Sequence, residues 1–312
     1  MEKNTTFDNK VQNKTLNWLL ESDDMAVKYR TLTEICGSSK GDEIDNLLGS
    51  IWEHKSIQGM LKKQDENGLW NEKEYGSFTP LRYLTAFAEF GLQKDKRIEA
   101  FVNYSIETLS NEMNNDPSGC YTPLVLRALV MLGYYDRDDV KELIDKFTAM
   151  QLYDGGFNCK RLLDKKPERK SCYKAAITAL LLYAECKRKG IIIDNAAQLI
   201  QYFTKRDVFY TSDKSKFIIE GRPGWRFIDN FFPVEPMRIG LPLTVAALSI
   251  LGAGNHPALK KAWEFLNEKT DENGKLILDG TLTKQPCNFG EVGQPNKWVS
   301  FYALLAEKYK DQ

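Results

Sequence analysis

Several groups of residues in this chain are of types that do chemistry. Asp136-Arg137-Asp138-Asp139 gathers three carboxylates in four positions. A carboxyl crowded by others in a dry site keeps its proton and serves as a strong acid. Cys159 and Cys172, with His54 and His256, the chain's two histidines, are of the types that ligate zinc. Asp229 and Glu235 flank the aromatic pair Phe231-Phe232. Such a placement suits an acid beside an apolar substrate. Cations are spread through otherwise apolar stretches at Arg30, Arg82, Arg127, Lys174, Arg238 and Lys297. Apolar helices seldom bury charge unless it is paired or functional. Converging cations would hold a diphosphate, carboxylate or sulfate; dispersed ones would pair with Glu89, Asp23, Asp24 and Glu185 or reach the rim.

Other chemistries are excluded. Gly221-Arg222-Pro223-Gly224 lacks the spacing and the Lys-Ser/Thr of a phosphate loop. Two histidines and no Ser-His-Asp set argue against triad hydrolysis. Lys plus Arg number 43 and so do Asp plus Glu, so no basic excess points to nucleic acid. No run of about 18 apolar residues suggests a membrane span. The first residues carry no apolar leader region, and the six cysteines form no CxxC. The expectation is a cytoplasmic protein with reduced thiols.

The elements that would position these groups are repeated. Gln64-Asp65-Glu66-Asn67-Gly68-Leu69-Trp70 and Gln151-Leu152-Tyr153-Asp154-Gly155-Gly156-Phe157 share Gln, three spacers, Gly, one spacer and an aromatic. Gly119-Cys120-Tyr121 and Gly274-Lys275-Leu276 are weaker versions. Three apolar segments, 78–91, 121–133 and 241–252, open near Pro and close on Gly, the helix-start and helix-stop residues. Each is apolar nearly all round and so predicts a buried helix. Extending the rhythm predicts an inner, buried set at 24–36, 79–90, 121–132, 171–188, 241–251 and 296–308. An outer, amphipathic set falls at 8–21, 41–53, 95–110, 137–151, 194–205 and 256–268. Six alternating pairs can close into a ring, which removes the exposed ends of an open array. The expectation is all-α, one domain over residues 1–312, with irregular stretches at 206–240 and 277–295. In that frame Asp136–Asp139 occupies the position held elsewhere by Lys94-Asp95-Lys96-Arg97 and Asn255-His256-Pro257-Ala258. It therefore reads as an exposed loop capping an outer helix.

The repeated loops, each leading to a Pro-started apolar helix, resemble the α/α toroid of terpenoid cyclases and protein prenyltransferases. Trp18–Arg30 and Pro295–Ser300 are similar to the small bacterial proteins with prenyltransferase/squalene oxidase repeats. The resemblance implies inner helices around a hydrophobic central cavity that takes an isoprenoid chain. It also gives Asp136–Asp139 the DxDD pattern of class II cyclases, though without its context. Gly155-Gly156-Phe157-Asn158 and Ser171-Cys172-Tyr173 resemble part of the prenyltransferase zinc segment. Cys159 and Cys172 lack the accompanying Asp, so no metal and no cofactor is expected. The expected partner is a small apolar or amphipathic molecule. Arg30, Arg82, Arg127, Lys174 and Arg238 are candidates for its head, and Trp225, Phe227, Phe231, Phe232 and Trp298 for its body. Asp229 and Glu235 are the candidate acids, should an isoprenoid be transferred or cyclised. Trp70 and Phe157 read as packing plugs between helices. Two alternatives are a carbohydrate hydrolase or lyase, with a carboxyl pair in an aromatic cleft, and a non-catalytic interaction module.

Overall fold

The computed structural model describes residues 9–21, 24–38, 41–73, 75–222 and 224–312. The eight N-terminal residues, Asp23 and Pro223 lie outside the described residues. The helices are α1 (Asn9–Leu19), α2 (Met25–Arg30), α3 (Asp42–Trp52), α4 (Lys55–Leu61), α5 (Thr79–Glu89), α6 (Lys96–Asn115) and α7 (Thr122–Met131). They continue as α8 (Asp138–Thr148), α9 (Lys160–Lys165), α10 (Tyr173–Arg188), α11 (Ala196–Thr204), α12 (Leu241–Leu248), α13 (Lys260–Glu268) and α14 (Lys297–Lys308). Among the described residues no strand forms, and none of the helices is long and apolar enough to cross a membrane.

The fold class is all-α, and every predicted inner and outer helix has a counterpart. All residues of α7 and α12 are buried, and Arg82 is the one position of α5 that is not. Helices this apolar on every side belong inside. Pro80, Pro123 and Pro242 sit in the first turns of α5, α7 and α12. Gly91, Gly133 and Gly252, which follow these helices, have φ of 78°, 89° and 95°, the left-handed stop that costs glycine little. Two inner helices end differently from expectation. Thr31–Ile35 and Ser249–Ala253 are π-turns continuing α2 and α12, in which the amide of Cys36 reaches back to the Thr31 carbonyl at 2.9 Å. The other departures are the short α4 and α9 and the extension of α6 to Asn115.

The chain divides into two compact units. One comprises residues 48–202 and 283–288, the other residues 1–47, 203–282 and 289–312. In the first, α5, α7 and α10 pack side by side, with α6 and α8 laid against them. In the second, α14 is central: α12 lies along it, and α1, α2 and the π-turn after α2 also touch it.

The repeated loops are built alike. Gln64 donates from Nε2 to the Gly68 carbonyl at 3.0 Å and to the Arg97 carbonyl at 2.8 Å. Gln151 makes the equivalent bond to the Gly155 carbonyl at 2.8 Å. The aromatic that closes each loop is a plug. Trp70 lies between Tyr83 of α5 and Phe101 of α6, each 4.6 Å away by ring centroid, and its Nε1 donates to the Met60 carbonyl at 2.8 Å. Phe157 stacks on Phe147 of α8 at 4.8 Å and meets Tyr183 of α10 edge-on at 6.1 Å. Both are buried, so their apolar area stabilises the pairing of an inner with an outer helix.

Candidate functional site

The long helix α6 ends at Asn115, with Asp116 as its C-cap, and α7 begins at Thr122. The connecting loop, 116–121, runs beside residues 158–161. The amide of Lys160 donates to the Pro117 carbonyl at 3.2 Å, and that of Arg161 to the Asp116 carboxylate at 3.0 Å. Gly119 permits the approach: a Cβ there would stand 2.7 Å from the carbonyl carbon and oxygen of Asn158. Asn158, itself buried, ties its Nδ2 to the Lys170 carbonyl at 2.9 Å and accepts from the Cys159 amide at 2.9 Å.

Beside these segments is a recess of about 300 Å³. Phe78 and Tyr121 form its aromatic wall, edge to face at 5.6 Å. Tyr121 donates its hydroxyl proton to the Ser77 carbonyl at 3.0 Å, bridging the starts of α7 and α5. Polar lining comes from Thr108, Glu112, Asp116, Ser118, Cys159 and Arg161. Glu112 accepts from the Ser118 amide at 3.2 Å. Burial nonetheless pushes its carboxyl up to about 7, with the neighbouring Asp116 charge adding to the effect. A carboxyl titrating near neutrality can both give and take a proton around pH 7. Cys159 is shifted the other way. A hydrogen bond from the Cys120 thiol, a bond from the Gly119 amide and the nearby Arg161 charge hold it well below the ordinary thiol range, against its partial burial. Cys120, the donor, is pushed up.

Apart from Cys159, the residues named as site candidates from sequence lie outside this recess. Arg30 is buried: Nε reaches Glu34 at 2.6 Å, Nη1 the Tyr302 hydroxyl at 3.2 Å, and the guanidinium stacks on Phe301 at 4.5 Å. Arg127 is held by Glu89 at 2.9 Å and Glu185 at 3.5 Å. These are the internal pairs that buried charge demands. Asp24 caps α2 by accepting from the Val27 amide at 3.0 Å. Arg82 and Lys174 are half-buried on α5 and α10. Lys297 is buried, 3.6 Å from Glu21, with its ammonium over the Trp18 ring. Asp229 pairs with Arg226 and lies 3.7 Å from Lys269; Glu235 pairs with Arg238 at 2.8 Å. Phe231 and Phe232 are buried, and Phe232 stacks on Trp298 at 5.5 Å with Phe289 edge-on at 5.1 Å. Trp225 is half-buried beneath Arg222, and its neighbour Phe227 is buried. Within the 206–240 stretch Phe232 packs against α14, while Phe209 and Phe217 meet Phe265 of α13.

Asp136 is exposed and pairs with Lys94. Asp138 and Asp139 occupy the first turn of α8, rather than its cap, and pair with Lys141 and Arg137. His54 and His256 cap short helices, each accepting a backbone amide through Nδ1 at 3.3 and 3.1 Å. Among the described residues no group of three or more His, Cys, Asp or Glu is placed to hold a metal ion.

Sequence reasoning named Cys159 but missed Glu112. Glu112 falls beyond the predicted end of its helix at 110, and the available signal was Pro117, the first residue that could not continue that helix.

No family model and no curated protein matches the chain. Solved structures similar to it include a polysaccharide lyase, 12% identical, covering 96% of this chain and 95% of that one, with a TM-score of 0.48. The ligand-free type II terpene cyclase MstE from Scytonema is 11% identical and covers 84% of this chain and 98% of that one, with a TM-score of 0.31. MstE in complex with geranylgeranyl dihydroxybenzoate is 11% identical over 85% and 98%, again with a TM-score of 0.31.

Proposed function

We propose that this chain is an α/α toroid protein that binds a small amphipathic molecule, with an apolar isoprenoid-like body and an anionic head. The observation that carries the reading is the recess walled by Phe78 and Tyr121. Its aromatic side suits an apolar body. Arg161 supplies charge for a head group, and the Glu112 carboxyl, raised to about 7, supplies a hydrogen-bond donor in its protonated form. Its volume accommodates the head and the first part of a chain rather than a whole long isoprenoid. In this reading Asp229 and Glu235 remain the acid candidates for any turnover. Asn and Gln replacements that left turnover at the wild-type level would remove them.

One observation favours the carbohydrate alternative. Glu112, an acid with a raised pKa, neighbours a second carboxylate, Asp116, in an open polar recess. Proton donor and carboxylate side by side are the working pair of glycoside chemistry.

Thermal-shift titration separates the two. Farnesyl and geranylgeranyl diphosphate should raise the melting temperature of the wild type, and Phe78→Ala with Arg161→Ala should weaken that binding by roughly tenfold or more. Stabilisation by acidic oligosaccharides alone, lost in Glu112→Gln, would replace the first reading with the second.

A further inference from the structure

We propose that Cys159 and Cys120 form a thiol–disulfide exchange pair, with Cys159 the attacking sulfur, open to small disulfides through the recess, and Cys120 the resolving sulfur behind it. The inference stands apart from the ligand reading, because it needs no head group or isoprenoid.

Three observations converge. First, the site is built. The buried Asn158 anchors the segment that carries Cys159, and Gly119 lets the 116–121 loop come against it where any side chain would collide with the Asn158 backbone. That contact makes Cys120 and Cys159 the residues next in sequence to the touching pair Gly119 and Asn158, and Ser118 and Cys159 line the same recess. Hydrogen bonding from this loop and the nearby Arg161 charge favour the Cys159 anion. Second, Cys159 faces the recess and Cys120 does not line it. Cys120 sits on the loop that abuts the Cys159 segment, with its sulfur 3.7 Å from the Ser118 hydroxyl. Both thiols are half-buried, and the one that lines the recess is placed to attack first. Third, the remaining thiols differ. Cys186 and Cys287 are buried, and burial pushes both up to about 12. Cys36 is exposed and serves as the internal standard. The titratable groups facing Cys159 are Cys120, Glu112 and Arg161, while Cys172 acts on Cys120. Arg161 favours the thiolate, whereas the Cys159 and Glu112 charges oppose each other.

The oxidant is a low-molecular-weight disulfide, RSSR. The Cys159 thiolate attacks one sulfur of RSSR, a new S–S bond forms to Cys159, and the old S–S bond breaks to release RS⁻. Cys120 then passes its proton to solvent or to that thiolate and attacks the Cys159 sulfur. The mixed disulfide breaks, a second RS⁻ leaves, and the two cysteines are joined. The protein loses two electrons and two protons, and RSSR becomes two RSH. A dithiol reductant reverses both steps.

The test uses oxidised glutathione as RSSR with the whole chain, read by intact mass and peptide mapping. Wild type should lose two hydrogens, mapped to a Cys120–Cys159 linkage. Cys120→Ser should instead hold one glutathione on Cys159, and Cys159→Ser should do neither. A second measurement needs no variant. Iodoacetamide labelling of the wild type, quantified peptide by peptide against pH, should label Cys159 roughly tenfold faster than Cys36 at pH 7. A Cys159 rate equal to or below that of Cys36 overturns the proposal. So does a wild type that keeps its glutathione adduct without closing the linkage.

Discussion

Glu112 and Glu307 are carboxyls that folding makes weaker acids, both to about 7, and in both cases burial is the first cause. Glu307 gains some relief from Lys310, 3.9 Å away, yet its Oε1 has no hydrogen-bond partner. Their linkage to stability has a definite sign. A carboxyl whose folded pKa exceeds its unfolded value near 4.5 binds more protons in the folded state between those two values. Its favourable contribution is fully present below about 4.5 and is lost as pH rises through about 7. The double variant Glu112→Gln, Glu307→Gln should therefore gain stability relative to wild type as pH climbs from 5 to 8. Urea midpoints at the two pH values read this directly, and a difference that stays flat would contradict the raised values. Arg127 shows the opposite arrangement. Its charge is matched by Glu89 and Glu185 within the inner helices, where an isolated ion would be costly.

At the scale of elements, the loops that end in a plug set the spacing between helices. Gly155 has φ of 85°, and a Cβ on it would stand 2.3 Å from the Gln198 carbonyl oxygen on α11. Gly190 has a similar φ of 74° with open space around it. Replacing Gly190 with Ala should cost only the backbone term, about 1–2 kcal/mol. Replacing Gly155 should cost more than about 3 kcal/mol, because main chain cannot give way as a side chain does. Equal losses in chemical denaturation would show that α11 does not rest on this loop. The pairing of helices was legible because it rests on local signals: Pro at the start, Gly at the stop, apolar residues on every side. The π-turns after α2 and α12 were not, since nothing local distinguishes an i−5 bond from an i−4 bond. The recess was half legible. Cys159 stood out by residue type. Glu112 and the Gly119 approach depend on a loop and a helix end that meet only in three dimensions. The aromatics of Trp225–Phe232 read as a lining from sequence; in the structure Phe227, Phe231 and Phe232 are buried and Trp225 is half-buried, and aromatic composition alone is the same for a wall and for a core.

At the scale of the whole molecule, the unit containing α14 is assembled from three separate stretches of chain. Thr15 donates to the Gly274 carbonyl at 2.9 Å, Arg30 reaches Tyr302, and α12 lies along α14. Truncation before Asn296 should therefore release α2 and α12, seen as loss of amide-exchange protection in both. Protection retained there would deny α14 its central place. The same arrangement bears on biosynthesis. Arg30 is separated from Tyr302 by 272 residues. At ribosomal speeds that interval lasts roughly 15 to 50 seconds. During it the stretch 48–202 is already complete, while the earliest helices stand with an uncovered guanidinium and a bare apolar flank. A newborn chain of this kind should therefore be more exposed to misassembly near its beginning than in its middle.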